Sequence, residues 1–152
     1  MPESRLKEFL DKEHVKYVSI GHSPAFTAQE IAAAAHVPGK ELAKSVIVKI
    51  DGQYAMAVLP ASRRVDLDHL KSALGADDVV LASEDEFKRL FPDCELGAMP
   101  PFGNLYDMGV FVAEQLTEDD EIAFNAGSHT ELVKMAYRDY AKLVTPQVVS
   151  LT

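Results

Sequence analysis

The 152-residue chain has no tryptophan, a single cysteine and far fewer cations than anions, and each scarcity closes off a class of protein. With Cys94 alone, an internal disulfide is impossible and a reducing compartment suits the chain. The five histidines, His14, His22, His36, His69 and His129, have no metal-ligand spacing with one another or with Cys94, so no metal site is expected. No apolar run approaches the length of a membrane span, and the longest, such as 54–61, are strand-sized. The first ten residues are charged and amphipathic, which reads as a helix rather than a signal peptide. What these absences leave is one cytoplasmic domain over residues 1–152, with no membrane partner.

Fifteen Lys and Arg against 24 Asp and Glu give a formal net charge of −9. A surface of that sign repels polyanions as a whole. DNA is therefore not an expected partner. An RNA substrate would have to be gripped over a short piece, such as a terminal nucleotide, or delivered with help.

The apolar periodicity predicts alternating short elements. Leu6, Phe9 and Leu10 share one helical face behind Ser4 as N-cap. A short strand follows at 17–20. Thr27 and Glu30 form a capping box that opens an alanine-rich helix, which Pro38-Gly39 must end. Two strand-like runs, 45–50 and 53–61, meet at Asp51-Gly52, a strong hairpin signal. Asp66 caps a helix carrying Leu67, Leu70 and Leu74, with Gly75 just past its end. A strand at 79–82 precedes a second capping box, Ser83 with Glu86, and Pro92 stops that helix. Residues 93–104 read as a loop; 109–113, 121–125 and 132–136 read as strands, and 137–143 as a terminal helix. Strand runs with helices interspersed irregularly indicate an α+β domain with a mixed sheet. The segment from Thr27 through Lys44 also looks like the opening of a helix-turn-helix, but its second helix would run into Val46-Ile-Val, which prefers a strand.

Three segments could carry chemistry. Lys44 stands at the mouth of a strand, where it is either a solvated lysine or a point charge that holds a phosphate. Gly97-Ala-Met-Pro-Pro-Phe-Gly103 is a rigid loop: a structural corner, or a place where the Gly97 N–H approaches a ligand as an oxyanion hole requires. Phe124-Asn-Ala-Gly-Ser-His-Thr130 ends a strand in small polar residues, as a plain turn or as a site. Ser128 and His129 are neighbours on an extended chain and do not form a nucleophile–base pair, and no Gly-x-Ser-x-Gly elbow is present.

In order and at domain scale, Leu42-Ala-Lys-Ser-Val, Gly97-x-x-x-Pro101 with Phe102-Gly103, and Asn125-Ala-Gly-Ser-His resemble the YbaK / prolyl-tRNA-synthetase-associated editing family over nearly the whole chain. The resemblance implies a single α+β domain with a curved mixed sheet flanked by helices. It implies a trans-acting aminoacyl-tRNA deacylase that needs no cofactor and hydrolyses the ester of a mischarged tRNA, often tRNA-Pro, carrying a small amino acid. Lys44 would anchor the terminal nucleotide, and the Gly97–Pro101 loop would polarise the ester carbonyl. Gly127, Ser128 and His129 would line the aminoacyl or ribose side, His129 being a candidate general base or a ribose-binding group. His22, Phe26, Thr27, Ser45 and Phe102 are expected to complete the pocket. The partners implied are the 3′ end of aminoacyl-tRNA and a synthetase or elongation factor that helps deliver it. The competing reading is a non-catalytic aminoacyl-tRNA or amino-acid sensor of the same fold.

Overall fold

The structure, a computed structural model, describes residues 2–21, 41–92, 94, 98–128 and 130–151. The expected helix opened by Thr27 and Glu30 lies outside these residues. Within them the chain runs α1 (Pro2–Lys12), β1 (Tyr17–Gly21), β2 (Leu42–Ile50), β3 (Gln53–Pro60), α2 (Leu67–Leu74), β4 (Val79–Leu81) and α3 (Glu84–Leu90). It continues through a 3₁₀ turn (Gly103–Tyr106), β5 (Gly109–Ala113), a second 3₁₀ turn (Glu114–Glu118), β6 (Glu121–Asn125), β7 (Glu131–Ala136), α4 (Tyr137–Val144) and β8 (Gln147–Val149).

Local chemistry explains most of these boundaries. The Asp66 carboxylate accepts the His69 N–H at the start of α2, and Gly75 closes the helix by donating to the Lys71 and Ser72 carbonyls. Ser83 and Glu86 exchange side-chain and backbone bonds at the start of α3, as a capping box should. Asp51 and Gly52 both take positive φ, 51° and 85°, in the two-residue turn between β2 and β3. The first helix starts at Pro2 rather than behind Ser4, because proline is pre-set for a first helical position. The segment from Leu42 to Ile50 is strand throughout, so the second helix of a helix-turn-helix has no place there.

All eight strands join one mixed sheet in the order β1-β7-β6-β2-β3-β5-β8, with β4 added beside β2. The pairs β2–β6, β3–β5 and β5–β8 are parallel, and the others are antiparallel. One face carries Ile47, Met56, Val58, Val112, Ile122, Phe124 and Val133, packed against Leu6 and Leu10 of α1, Phe87 of α3 and Tyr140 of α4. The other carries Val48, Ala55, Ala57 and Leu59, closed by Leu70 of α2 and by Leu151. Leu70 has no exposed surface, which at roughly 1.5–3 kcal/mol makes it the main anchor of its short helix.

The strand β2 is the pivot. One of its edges is covered by β3 from Ala43 to Ile50. Its other edge is shared: β6 pairs with Leu42 and Ala43, and β4 pairs with Val48 to Ile50. Between these two partners the ladder parts, and only Ile47 is bridged there, its carbonyl accepting the Ala82 N–H at 3.0 Å. The sheet therefore splits beside residues 44–46.

Candidate functional site

Lys44 is the third residue of β2 and stands opposite Leu59 of β3, so it belongs to the face covered by α2. Its ammonium is partly buried, and that burial, followed by the charge of Arg64, pulls its pKa below the ordinary lysine value. Arg64 comes close because the chain turns back after β3. The Ala61 N–H donates to the Leu42 carbonyl at 2.8 Å, and the Arg63 N–H donates to Pro60 at 2.9 Å. Among the described residues no carboxylate forms an ion pair with Lys44 or Arg64. Two neighbouring cations with no anion between them repel one another, and an anionic ligand would relieve that.

Ser45 points to the opposite face, as the next residue of a strand must. It faces Val58, is only 8% exposed, and its Oγ is buried without a hydrogen-bond partner. Beside it the split in the sheet opens a cavity of about 290 Å³, bordered by Val46, Ile47, Ser83, Phe87 and Met99. Lys44 and Ser45 thus stand on opposite sides of β2 at the gap, and only Ser45 borders this cavity.

The loop 98–103 is buried throughout and held from three sides. The Tyr140 hydroxyl donates to the Pro101 carbonyl at 2.7 Å, and burial keeps the Tyr140 pKa far above the ordinary tyrosine value. The Phe102 ring meets Phe9, Phe124 and Tyr140 at centroid distances of 6.0, 5.5 and 5.3 Å. Its exposed surface is nil, so Phe102 is an aromatic core residue that fixes the loop, not the pocket-facing side chain expected from the sequence. At Gly103 an added Cβ would sit 2.7 Å from Val110 Cγ2 and 2.9 Å from the Met108 carbonyl, which leaves no room for any side chain.

The third segment closes on the second. Gly127, at φ 103°, donates its N–H to the Ala98 carbonyl at 2.8 Å, so the two loops form one unit. That backbone geometry is strained for any residue with a Cβ. Ser128 Oγ lies 3.2 Å from Thr130 Oγ1 and accepts the Thr130 N–H at 3.4 Å, which engages it in shaping the turn. His22, Phe26, Thr27, Gly97 and His129 lie outside the described residues.

One residue near Lys44 entered the sequence reading only as part of the segment Asn125-Ala-Gly-Ser-His, without a role of its own. Asn125 follows the parallel pair Ala43↔Phe124 on β6 as Lys44 follows it on β2, so the two lie on the same face of the sheet. Its Oδ1 is buried and has no hydrogen-bond partner. The available signal was a lone polar residue ending the apolar run Ile122-Ala-Phe, but only the strand register shows what it stands beside.

Comparison with known proteins places the fold and the family. The model of the aminoacyl-tRNA editing domain matches residues 22–143. A protein of Escherichia coli strain K12, the multifunctional Ser/Thr-tRNA deacylase ProXp-y, is 30% identical over 152 aligned residues, covering 96% of this chain and 90% of that one. The proline–tRNA ligase of Staphylococcus saprophyticus is 36% identical over 95 residues, which cover 61% of this chain and 16% of the ligase. A solved structure described as a candidate trans-editing enzyme for prolyl tRNA synthetase superposes with a TM-score of 0.85 at 21% identity, covering 99% of this chain and 96% of that one, a likeness of fold. The family match over residues 22–143, joined to a relative aligned along almost the full chain, shows that this chain belongs to the aminoacyl-tRNA editing domain family.

Proposed function

We propose a division of labour for this aminoacyl-tRNA deacylase in which Lys44 holds the phosphate of the terminal nucleotide and the loop ending at Pro101 positions the ester carbonyl. Water attacks that carbonyl, a tetrahedral oxyanion forms, and the C–O bond to the ribose breaks to release the amino acid and the free tRNA hydroxyl. An aminoacyl ester is already activated, so positioning and stabilisation of the oxyanion carry most of the rate without a protein nucleophile. Backbone N–H groups of the loop that begins at Gly97 are the proposed oxyanion donors, and Gly127, Ser128 and His129 the proposed wall on the aminoacyl or ribose side.

The observation that carries this reading is Lys44, a partly buried cation with a second cation nearby and no carboxylate paired with it among the described residues. A structural lysine in a chain of net charge −9 would be expected to have found an acid. The aminoacyl group is proposed to be small and hydroxylated, serine or threonine, on the strength of the near full-length E. coli relative, whose name specifies Ser/Thr-tRNA. The tRNA-Pro class stays in the proposal through the likeness to proline–tRNA ligase. The acidic surface further suggests that a synthetase or elongation factor delivers the tRNA; equal catalytic efficiency with and without such a partner at physiological salt would remove that part.

The test is release of amino acid from tRNA-Pro, tRNA-Thr and tRNA-Ala charged with serine, threonine, alanine, cysteine or proline, with Lys44→Ala as control. Lysine-dependent release of serine or threonine is expected. No release from any of them by the folded protein would favour the non-catalytic sensor instead.

A further inference from the structure

A buried polar atom without a partner destabilises a fold unless something else completes it. Among the described residues Ser45 Oγ and Asn125 Oδ1 are in that state. Ser45 and Asn125 flank the split in the sheet.

Asn125 is the more informative of the two because its orphan atom can only accept. It is the last residue of β6, paired with Leu132 of β7 on one side. On the other side it comes one residue after the last registered pair with β2, Ala43↔Phe124, as Lys44 does on β2, so the two residues share a face of the sheet where the ladder ends. The chain after it is fastened, with the Ala126 N–H donating to Glu131 at 3.1 Å and the Gly127 N–H to Ala98 at 2.8 Å. Asn125 is therefore held in place at the point where the Lys44 strand, the loop 98–103 and the Gly-Ser turn converge, with an acceptor that no donor among the described residues completes.

The missing donor belongs to the ligand, and the charge next door selects its kind. Among the described residues Lys44 has Arg64 and no carboxylate acting on it, so the local field disfavours a second ammonium and makes a neutral hydroxyl the better matching donor. We infer that Asn125 Oδ1, completed by no donor among the described residues and on the same sheet face as Lys44, accepts a hydrogen bond from a hydroxyl of the bound aminoacyl-tRNA end. That hydroxyl is either the side-chain hydroxyl of the amino acid or a hydroxyl of the terminal ribose. This rests on the deacylase reading above and makes Asn125 a substrate-binding residue of the site. A site built around such a bond rejects substrates lacking the hydroxyl, because its buried acceptor is then left unpaired.

The experiment compares wild type and Asn125→Ala on seryl-tRNA, alanyl-tRNA and seryl-tRNA ending in 2′-deoxyadenosine. For the variant a fall in kcat/KM on the order of 10–100-fold is expected on seryl-tRNA, without a drop in Tm, because Oδ1 makes no bond among the described residues and its removal relieves a buried unpaired acceptor. If the fall vanishes on alanyl-tRNA, the amino-acid hydroxyl is the donor. If it persists there but vanishes on the 2′-deoxy substrate, the ribose is. A fall of equal size on all three substrates, or none on any, overturns the inference. The wild-type protein keeps the idea open to refutation should the variant fold poorly: equal efficiency on all three substrates would also overturn it. Absence of wild-type activity on every substrate would instead refute the deacylase reading itself.

Discussion

Lys44 and Lys49 lie five residues apart on one strand, and the protein treats them in opposite ways. Lys49 stands opposite Tyr54, 5.6 Å over its ring, and its Nζ is 2.9 Å from Glu86. Tyr54 also donates to Glu86, and contact with Glu86 raises the Lys49 pKa. Among the described residues Lys44 has no such acid, and burial with a like charge lowers its pKa. The half of β2 that holds Lys49 is paired along both edges; the half that holds Lys44 borders the split, with Ser45 Oγ and Asn125 Oδ1 unsatisfied on either side. On the proposed reading, the difference separates a structural charge from a functional one. A charge that serves the fold finds its counter-ion inside the fold, whereas one that serves a ligand is held apart at a cost that the ligand removes.

The sharpest way to break the comparison is to truncate each lysine. Lys44→Ala is expected to lower deacylation by about 10²-fold or more at nearly unchanged Tm, because it removes the proposed substrate anchor rather than a fold contact. Lys49→Ala should leave the rate within about two-fold and shift Tm slightly, as a partly exposed ion pair is worth little. Equal losses of activity in the two variants would end the distinction.

A smaller effect is expected behind the loop that faces the split. Tyr140→Phe deprives the buried Pro101 carbonyl of its donor and should cost about 1 kcal/mol or somewhat more in chemical denaturation. Its kcat should fall more than its KM rises, since the loop that positions the carbonyl is loosened and the Lys44 anchor is not.

The Lys49 side has its own signature in pH. The Tyr54 hydroxyl, then Lys49 and the Ser83 backbone, hold the Glu86 pKa near 2, below its ordinary 4.5. A carboxyl depressed in the folded state stabilises it above pH 4.5, and that contribution is lost as pH falls from there toward 2. Glu86→Gln should therefore be less stable than wild type at neutral pH and show a flatter fall in Tm between pH 5 and 2. Activity at neutral pH should barely change.

The smallest effect concerns the Lys44 side alone. Arg64→Gln removes the like charge and should raise the Lys44 pKa in an NMR titration of the side chain, without reaching the ordinary lysine value because burial remains the larger cause.

Much of this was legible in the residues because local chemistry specifies it. Asp66 and Gly75 bound α2, Ser83 with Glu86 starts α3, and Asp51-Gly52 turns β2 into β3, each through bonds spanning a few residues. The short β8 was not legible: three residues after Thr145-Pro146 carry no periodicity, and β8 is a strand because β5 lies beside it. Phe102 misled for a related reason. A phenylalanine in a Pro-Gly loop looks like a ligand-facing ring until Phe9, Phe124 and Tyr140 arrive around it from distant parts of the chain.

The sequence by itself determined the helix caps, the hairpin, the acidic charge that limits how RNA can be held, and the three segments that mark an editing domain. Only the tertiary structure decided that β6 and β4 share one edge of β2 and part beside Lys44. It alone bonded Gly127 to Ala98, gave Lys49 an acid and Lys44 none among the described residues, and set Asn125 on the same sheet face as Lys44. Caps and turns arise from neighbours along the chain, whereas the field and the vacant acceptor at a site are sums over strands brought together from far apart in sequence.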